Sequence, residues 1–381
     1  MAADLRLDSA GPFRRAALVR DGDLTDLHID RVDRPSPLGA VIRGRVVRLA
    51  AGLDAAFVDI GDRLPALLNA ADVRPRVRDA RIGQLLRAGQ EVTVQVKAEA
   101  HGDKGAVVTM DMALPGRFLV HTPLGDGVHL SKRLGRGPER ARLQQLVKAA
   151  VPPGGGWIVR ADAAGADPAL IAAEAHALWA AWRDALAAPG DVRLPAPTAW
   201  ERALVELSGR AGSIRAQGPE ALAAVRRWCA DRAPDLLDRL APHKSPHPLF
   251  EEDDLEGQIA ALLEPRVPLS DGGSLAIERT EAMTVIDVNG GERGNALACN
   301  LDACREIARQ IRLRNVGGIV VVDFINLANA AERERIELAL SHAVSDDPAG
   351  THVYGMTKLG LMEMTRSRRG PALFDLLRDP A

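Results

Sequence analysis

The chain has 381 residues, with 49 lysines and arginines against 51 aspartates and glutamates, and its formal net charge at pH 7 is −2. This length suits about two to four domains of roughly 100–200 residues each. The three cysteines exclude a disulfide scaffold and form no CxxC pair for zinc. The balanced charge and the low aromatic content, six Phe, five Trp and one Tyr, are unlike those of a typical nucleic-acid binder.

The N-terminal segment lacks the apolar core of a secretory signal, and no run approaches the ~18 apolar residues of a membrane span. We therefore expect a bacterial-type cytoplasmic protein with no membrane partner. Cys229, Cys299 and Cys304 are expected to be buried free thiols in a reducing compartment.

Short alternating runs fill residues 39–110, with turn signals at 61–62 and 101–105 between them. This rhythm predicts a small antiparallel barrel, and the runs at 44–47 and 56–61 are typical of a five-stranded OB-fold. Other short all-β modules share the same rhythm.

The middle of the chain has a mixed pattern. A basic helical stretch over 132–142 precedes a predicted strand at 156–160 and an Ala-rich helix over about 168–186. The Pro/Gly-rich residues 187–197 predict a loop. Helical patterns interrupted by prolines follow from 200 to 263.

The last third changes to an α/β pattern. A strand is predicted at 284–288, followed by a glycine loop and an amphipathic helix that ends at Asn315, before Gly317 and Gly318. The almost continuous apolar run over 319–325 predicts a strand covered on both faces. A second helix is predicted over about 328–344.

Asp287 and Asp323 each interrupt an apolar run near the end of a predicted strand. A buried carboxylate is costly unless it is neutralised, and open α/β sheets place their sites at such strand ends. Two carboxylates from neighbouring strands form a hard-oxygen site suited to Mg²⁺. Each Asp alone is better explained as a cap of the following loop or helix, whereas for the pair the cap and the metal site both stay open at this point.

The residues around this pair give weaker signals. Asn289 lies two residues beyond Asp287, on the same side of the strand, where it can hold a metal-bound water or a phosphate, or simply form a turn. The glycine loop at 289–294 is a weak phosphate-loop signal. His342 and His352 are better explained as surface or packing residues, and no Ser–His–Asp order or catalytic cysteine context is present.

Basic residues gather locally despite the balanced total. One group lies on the helix between the two Asp strands and another near the C-terminus, with Lys358 upstream of it; the two groups are Arg305, Arg309, Arg312 and Arg314, and Arg366, Arg368 and Arg369. Such groups suit phosphodiester backbones, although a solvated helix face explains any single one of them.

Motifs along nearly the whole chain resemble the ribonuclease E/G family. The most specific are AMTVIDVNGG, NLDACREIARQIRLRNVGGIVVVDFINL and GMTKLGLMEMTRSR, which are similar to the family's catalytic region. Upstream, RGRVV, AAFVDIGDRLPALL and HGDKGAVVTM resemble its inserted OB-fold, GGWIVRADAAG its 5′-sensor region, and VPLSDGGSLAIERTEAMT the entry to its catalytic domain.

The resemblance implies an α/β multidomain chain, α+β overall. Its domains would be an RNase H-like domain in two segments (1–37 and 200–262), an inserted OB-fold RNA-binding barrel (38–110), a 5′-sensor region (111–199) and a DNase I-like catalytic α/β domain (263–381).

The resemblance also implies functional residues. Asp287 and Asp323 match the metal-binding aspartates, and Asn289 matches the catalytic-site asparagine. Phe57 and Lys104 match barrel positions that contact RNA. The remaining RNA-binding candidates are the sensor arginine Arg160, which meets the 5′-terminal phosphate, and the basic residues Arg309, Arg312, Lys358 and Arg366.

The sequence departs from the family pattern at several positions. Asn326 replaces an acidic residue, Leu67 replaces a second barrel aromatic, Ala161 replaces the Thr after the sensor arginine, and Gly350 aligns with a second sensor arginine. The chain stops shortly after the stretch where a CPxC zinc-link would begin. We therefore expect no structural zinc and no zinc-linked tetramer, whereas a homodimer through the catalytic domain is plausible.

These observations lead to one hypothesis and two alternatives. The first is a Mg²⁺-dependent endoribonuclease that cleaves single-stranded RNA in RNA processing or decay. In this hypothesis water attacks the phosphodiester, the products carry 5′-phosphate ends, and the enzyme senses a 5′-monophosphate only weakly. The alternatives are a catalytically weak RNA-binding or ribosome-associated protein on the same fold, and a metal phosphoesterase for a small substrate. With few aromatic residues, RNA binding is expected to depend on phosphate contacts and to weaken steeply with salt.

Overall fold

The computed structural model describes residues 3–100, 103–270, 272–292 and 294–378. Two residues of the predicted 101–105 turn, one residue of VPLSDGGS, one residue of the 289–294 loop and the last three residues lie outside the described residues. The chain divides into two compact units, one made of Ala2–Ala16 with Asp30–Lys244 and the other of Ala17–Ile29 with Ser245–Ala381. The four domains implied by the resemblance stay predictions.

The strands of the described residues come in long runs toward the N-terminus and are interspersed with helices toward the C-terminus. In chain order they are β1 (Ala3–Ala10), β2 (Phe13–Arg20), β3 (Asp23–Arg31), β4 (Val41–Ala50), β5 (Ala55–Asp59), β6 (Ala66–Asn69), β7 (Glu91–Ala98), β8 (Val107–Thr109), β9 (Leu114–Pro115), β10 (Leu119–Thr122), β11 (Val128–Leu130), β12 (Gly156–Val159), β13 (Val192–Leu194), β14 (Ala211–Ala216), β15 (Leu240–Pro242), β16 (Arg266–Pro268), β17 (Ser274–Arg279), β18 (Met283–Asn289), β19 (Gly318–Asp323), β20 (Thr351–Met356) and β21 (Leu361–Arg366).

The α-helices are α1 (Ile82–Leu85), α2 (Pro138–Ala150), α3 (Pro168–Ala187), α4 (Ala199–Leu207), α5 (Pro219–Arg232), α6 (Leu255–Ala261), α7 (Ala296–Leu313), α8 (Ala330–Ala343) and α9 (Leu373–Arg378). The helices predicted over 168–186 and 328–344, and the helix predicted to end at Asn315, are present as α3, α8 and α7. The other helix predictions are correct only in part, because the basic stretch is α-helical from Pro138 onward, β14 and β15 lie within 200–263, and α1 and α9 were not predicted. In the described part of the chain no helix is long and apolar enough to span a membrane. All three cysteines are buried free thiols, as expected.

The first unit contains a closed five-stranded barrel. Its strands pair in the order β4–β5–β6–β8–β7, and β7 pairs back to β4. The β6–β8 pair is parallel and the others are antiparallel. Alternate residues such as Val58, Leu68 and Val108 fill the interior. The order and closure are those of an OB-like barrel, so the prediction of a small barrel is confirmed.

Two further β-layers complete this unit. β9–β12 form a four-stranded sheet covered by α2 and α3, with Trp157 and Leu143 in the shared core. β1, β14 and β15 run parallel beside α4 and α5. The predicted loop over 187–197 is only partly correct, because β13 lies within it and pairs with β4 of the barrel.

The second unit is built on a six-stranded mixed sheet in the order β16–β17–β18–β19–β21–β20. Helices α7 and α8 cover one face, and Ile286, Val320 and Ile307 lie in the core between them. The other face is open: Ile319 of β19 is 48% exposed and Tyr354 of β20 is 68% exposed. The expectation that the 319–325 strand is covered on both faces is therefore wrong, because helices pack on one face only of this sheet.

Candidate active site

Asp287 and Asp323 lie side by side on the second unit's sheet. β18 and β19 run parallel, and their register places Asp287 opposite Asp323. Neighbouring strands are about 4.8 Å apart, so the two carboxylates share one small area of surface. Both residues are exposed on the open face, whereas Ile286 and Val322 before them are buried on the helix-covered face. No carboxylate is buried here, and the pair is accessible to a ligand.

Asn289 joins this pair as the last residue of β18. It lies two residues after Asp287 and therefore on the same face. Its Nδ2 donates a hydrogen bond of 2.7 Å to Oδ2 of Asp287. The bond fixes the orientation of one carboxylate and leaves the amide oxygen of Asn289 facing the same surface. The structure thus brings together the three residues that the sequence analysis assigned to chemistry.

A buried asparagine that the sequence analysis missed anchors the loop after Asp323. Asn300 of α7 is fully buried, its Nδ2 donates to the carbonyl of Ile325 at 2.8 Å, and its Oδ1 accepts from the amide of Ile325 at 3.1 Å. The Ile325 side chain reaches Gly290, where a Cβ would lie 3.1 Å from Cδ1 of Ile325. Asn300 therefore links the loops that follow the two aspartates.

The donors on this face fit a magnesium ion. They are two carboxylates and a side-chain amide oxygen, which are hard-oxygen ligands. Mg²⁺ is commonly bound by one or two carboxylates while it keeps several waters and takes substrate phosphate, and the exposure of Asp287 and Asp323 leaves room for both. Among the described residues no group of three or more His, Cys, Asp and Glu residues is placed to hold a metal ion, so a metal site made entirely of such side chains is not found there.

The arginines of α7 lie behind the sheet and not beside the carboxylates. Arg309 donates from Nε to the carbonyl of Leu24 at 3.1 Å and pairs through Nη1 with Glu306 at 2.9 Å. Arg312 is half-buried on the same helix. Because α7 packs on the face opposite to Asp287 and Asp323, these arginines lie away from the carboxylate pair. A contact of Arg312 with more distant RNA stays a prediction.

The two C-terminal basic candidates differ in their surroundings. Arg366 is 6% exposed, and its guanidinium pairs with Asp347 at 2.7 Å and donates to the carbonyl of Val316 at 2.9 Å. Burial alone raises the pKa of the Asp347 carboxyl, but the hydrogen bond and charge of Arg366 outweigh it, and the pKa is lowered. Arg366 therefore stabilises the fold, and its contact with RNA stays a prediction that the burial of its guanidinium does not favour.

Lys358, in contrast, is exposed in the turn between β20 and β21. Leu361, the first residue of β21, is in register with Asp323. The turn that carries Lys358 therefore lies at the same edge of the sheet as the carboxylate pair, and its assignment to RNA binding remains consistent with the geometry.

In the first unit, the barrel presents a small outer platform. Phe57 of β5 is in register with Leu67 of β6, and Leu67 is in register with Val107 of β8. The guanidinium carbon of Arg48 lies 3.8 Å from the centre of the Phe57 ring. Lys104 is exposed in the segment that leads into β8. Arg48 was missed because nothing in the sequence places it over the ring.

Arg160 follows β12 and is already partly engaged. Its Nη1 donates to the carbonyl of Gly116 at 2.6 Å, and its Nη2 lies 4.0 Å from Oδ2 of Asp162. A cavity of about 300 Å³ adjoins it, lined in part by Ala161 and Asp162. An acidic side chain thus lies beside the arginine that was expected to meet a terminal phosphate.

Glu174 of α3 orders the loop that Arg160 contacts. Its buried carboxylate accepts three hydrogen bonds from the successive amides of Arg117, Phe118 and Leu119, at 2.7, 2.8 and 2.8 Å. Burial raises the pKa of Glu174, and the three amide donors offset part of that rise. This carboxylate occupies backbone donors that an external anion would otherwise use.

Comparison with known proteins agrees with this geometry. The model of the ribonuclease E/G family matches residues 113–369. Ribonuclease G of Haemophilus influenzae is 34% identical over 402 residues, which cover 99% of this chain and 82% of that protein. Ribonuclease G of Escherichia coli (strain K12) is 34% identical over 398 residues, covering 97% of this chain and 80% of that protein. Ribonuclease E of Nostoc sp. is 34% identical over 365 residues, covering 90% of this chain and 53% of that protein.

The structure is that of a mixed α/β protein with an OB-like barrel and a pair of exposed carboxylates on neighbouring strands. The chain belongs to the ribonuclease E/G family, and this membership makes it an endoribonuclease by class.

Proposed function

We propose that the protein is a Mg²⁺-dependent endoribonuclease of the bacterial cytoplasm that cleaves single-stranded RNA during RNA processing or decay. The observation that carries this proposal is the register of Asp287 with Asp323, together with the 2.7 Å hydrogen bond from Asn289. Family membership supplies the class of reaction, and the OB-like barrel supplies a surface for an unpaired strand.

The residues of this chain would divide the work as follows. Asp287 and Asp323 would hold Mg²⁺, which when bound polarises a phosphoryl oxygen and lowers the pKa of water. Asn289 orients the Asp287 carboxylate and offers its amide oxygen to the attacking water or to the phosphate. Asn300 keeps the two loops in place. Attack by water, and not by the ribose hydroxyl, would leave a 5′-phosphate on one product and a 3′-hydroxyl on the other.

A short unstructured A/U-rich RNA tests the proposal. We expect cleavage with Mg²⁺ and none with a chelator, and we expect Asp287→Asn and Asp323→Asn each to lower the rate by at least about 10³-fold, as loss of a carboxylate that holds a catalytic metal would. Asp184→Asn on the exposed surface of α3 is a matched control with an unchanged rate.

Two outcomes would favour the alternatives. RNA binding without Mg²⁺-dependent cleavage would indicate an RNA-binding or ribosome-associated protein, the alternative that Asn326 and Leu67 favour. Hydrolysis of a generic phosphodiester but not of RNA would indicate a small-molecule phosphoesterase. Cleavage by either Asp variant at the parent rate would refute the metal assignment.

We also propose that the enzyme senses a 5′-monophosphate weakly. Ala161 offers no hydroxyl, and Asp162 lies 4.0 Å from Arg160, whose other nitrogen is bonded to Gly116. Gly350 has φ +74°, a left-handed conformation in which an arginine would be strained. RNAs with a 5′-hydroxyl, 5′-monophosphate or 5′-triphosphate should be cleaved within about threefold of one another, and strong monophosphate stimulation would contradict the proposal.

The assembly is a separate proposal. We propose a homodimer through the catalytic region. Sedimentation of the purified chain tests it, and a monomer would refute it.

A further inference from the structure

A phosphodiester at the carboxylate pair needs a positive group on the same face of the sheet, because one Mg²⁺ balances only the charge of the two carboxylates and leaves the charge of the phosphate uncompensated. The α7 arginines do not provide one, since they lie behind the sheet. We propose that Arg266, on the outermost strand β16, is a phosphate-binding residue of this site and positions the RNA strand across the carboxylates. This inference rests on the proposed function.

The sheet register places Arg266 in the same row as the carboxylates. Arg266 is in register with Ala276 of β17, and Ala276 is in register with Asp287 of β18. Residues directly opposite each other in antiparallel pairs share a face. The adjoining positions confirm the assignment of faces, because Val267, Leu275 and Val288 are all buried in the helix-covered core.

The spacing along this row suits a bound phosphate. Arg266 and Asp287 are separated by two interstrand distances, or about 9.5 Å between backbones. The residue between them is Ala276, whose methyl group leaves the surface above it open. A guanidinium on its long side chain can therefore meet a phosphate that lies over Ala276, and its planar donors match two phosphate oxygens.

Arg266 is also free to bind. It is exposed, and within the described ranges no hydrogen bond or ion pair engages its guanidinium. Lys358 lies on the other side of the pair, in the turn before Leu361. Arg266 therefore lies on one side of Asp287 and Asp323 in a row of the sheet, and Lys358 lies on the other side, in the turn that leads to Leu361 of the same row. An RNA strand that follows this row would meet a cation on each side of the carboxylates.

The binding test uses a short unstructured RNA and the inactive Asp323→Asn protein, so that cleavage does not interfere. We expect Arg266→Ala to weaken binding about fivefold to tenfold at low salt and to reduce the slope of log affinity against log salt by about 0.7, the value for one phosphate contact on a single strand. Arg266→Lys should keep most of the slope. Arg335→Ala, an exposed arginine of α8 on the covered side, is the matched control and should change neither quantity.

Kinetics of the active protein supply the second readout. Arg266→Ala should raise KM about fivefold to tenfold and leave kcat within twofold, because a ground-state phosphate contact is lost. If Arg266→Ala binds and cleaves RNA as Arg335→Ala does, the inference is wrong while the proposed function stands. If the parent protein itself does not cleave RNA, the proposed function fails instead.

Discussion

Asn300→Ala is the substitution that most directly tests how the active-site loops are held. It removes both hydrogen bonds to Ile325, at 2.8 and 3.1 Å, from a fully buried position. A lost intramolecular hydrogen bond costs about 0.5–1.5 kcal/mol, and a buried backbone group left unsatisfied costs about 1–3 kcal/mol. We therefore expect the free energy of unfolding to fall by about 2–4 kcal/mol. The loss stays below the sum of the largest costs because the loop can relax and expose part of its backbone to water.

The same substitution should lower kcat, because the loop after Asp323 loses its anchor and its packing against Gly290. We expect a decrease of at least about tenfold, since a displacement of about 1 Å can cost about 10²-fold in rate. Ile307→Ala is the control: Ile307 is buried on the same helix, its truncation costs about 2–5 kcal/mol, and its apolar side chain makes neither of the hydrogen bonds to Ile325.

Urea unfolding and steady-state cleavage at a temperature where both variants are folded separate the two effects. Both variants should be destabilised, but only Asn300→Ala should lose kcat. If the two variants retain the same fraction of kcat, Asn300 stabilises the unit and does not position the site.

Two further predictions concern the first unit. His121 stacks on Trp157 with ring centres 4.2 Å apart, Nδ1 donates to the carbonyl of Gly156, and its buried Nε2 has no hydrogen-bond partner among the described residues. Burial lowers the pKa of His121, so its stabilising effect is complete above the unfolded pKa of about 6.5 and is lost as pH falls through it. His121→Phe should therefore lose less unfolding free energy than the parent between pH 7.5 and 5.5 in urea titrations, and equal losses would refute the argument. Leu67→Phe places a second ring in register with Phe57. Because base stacking contributes about 1–3 kcal/mol, this variant should bind RNA about fivefold more tightly or better, whereas Leu67→Met should bind like the parent protein. Equal affinities of the two variants in a filter-binding assay would refute this prediction.

The sequence predicts the chemical residues of the site better than their surroundings. Asp287, Asn289 and Asp323 were identifiable because polar residues at the end of apolar strands are rare and their spacing along a strand fixes their common face. The apolar run from Ile319 onward did not show which face is covered, because a continuous apolar run fits burial on one face or on two.

Residues that depend on tertiary packing escaped prediction. Asn300 resembles any polar residue on a helix, and only the approach of Ile325 gives it a role. Arg309 and Arg366 belong to basic groups that favour RNA in the sequence, but Leu24, Glu306 and Asp347 engage them in the fold. The place of Arg266 follows from the pairing of β16 with β17, which local sequence does not specify.

The carboxylate of Glu174 also has a thermodynamic consequence. Because three amides of the 117–119 loop are already bonded to it, the conformational entropy of this loop is lost during folding and not when RNA arrives. A 5′ end that meets Arg160 therefore contacts a preorganised loop, so little further ordering can be coupled to its binding. Any discrimination between 5′ ends should then reside in the binding step and change KM, with no accompanying conformational signal to the catalytic carboxylates.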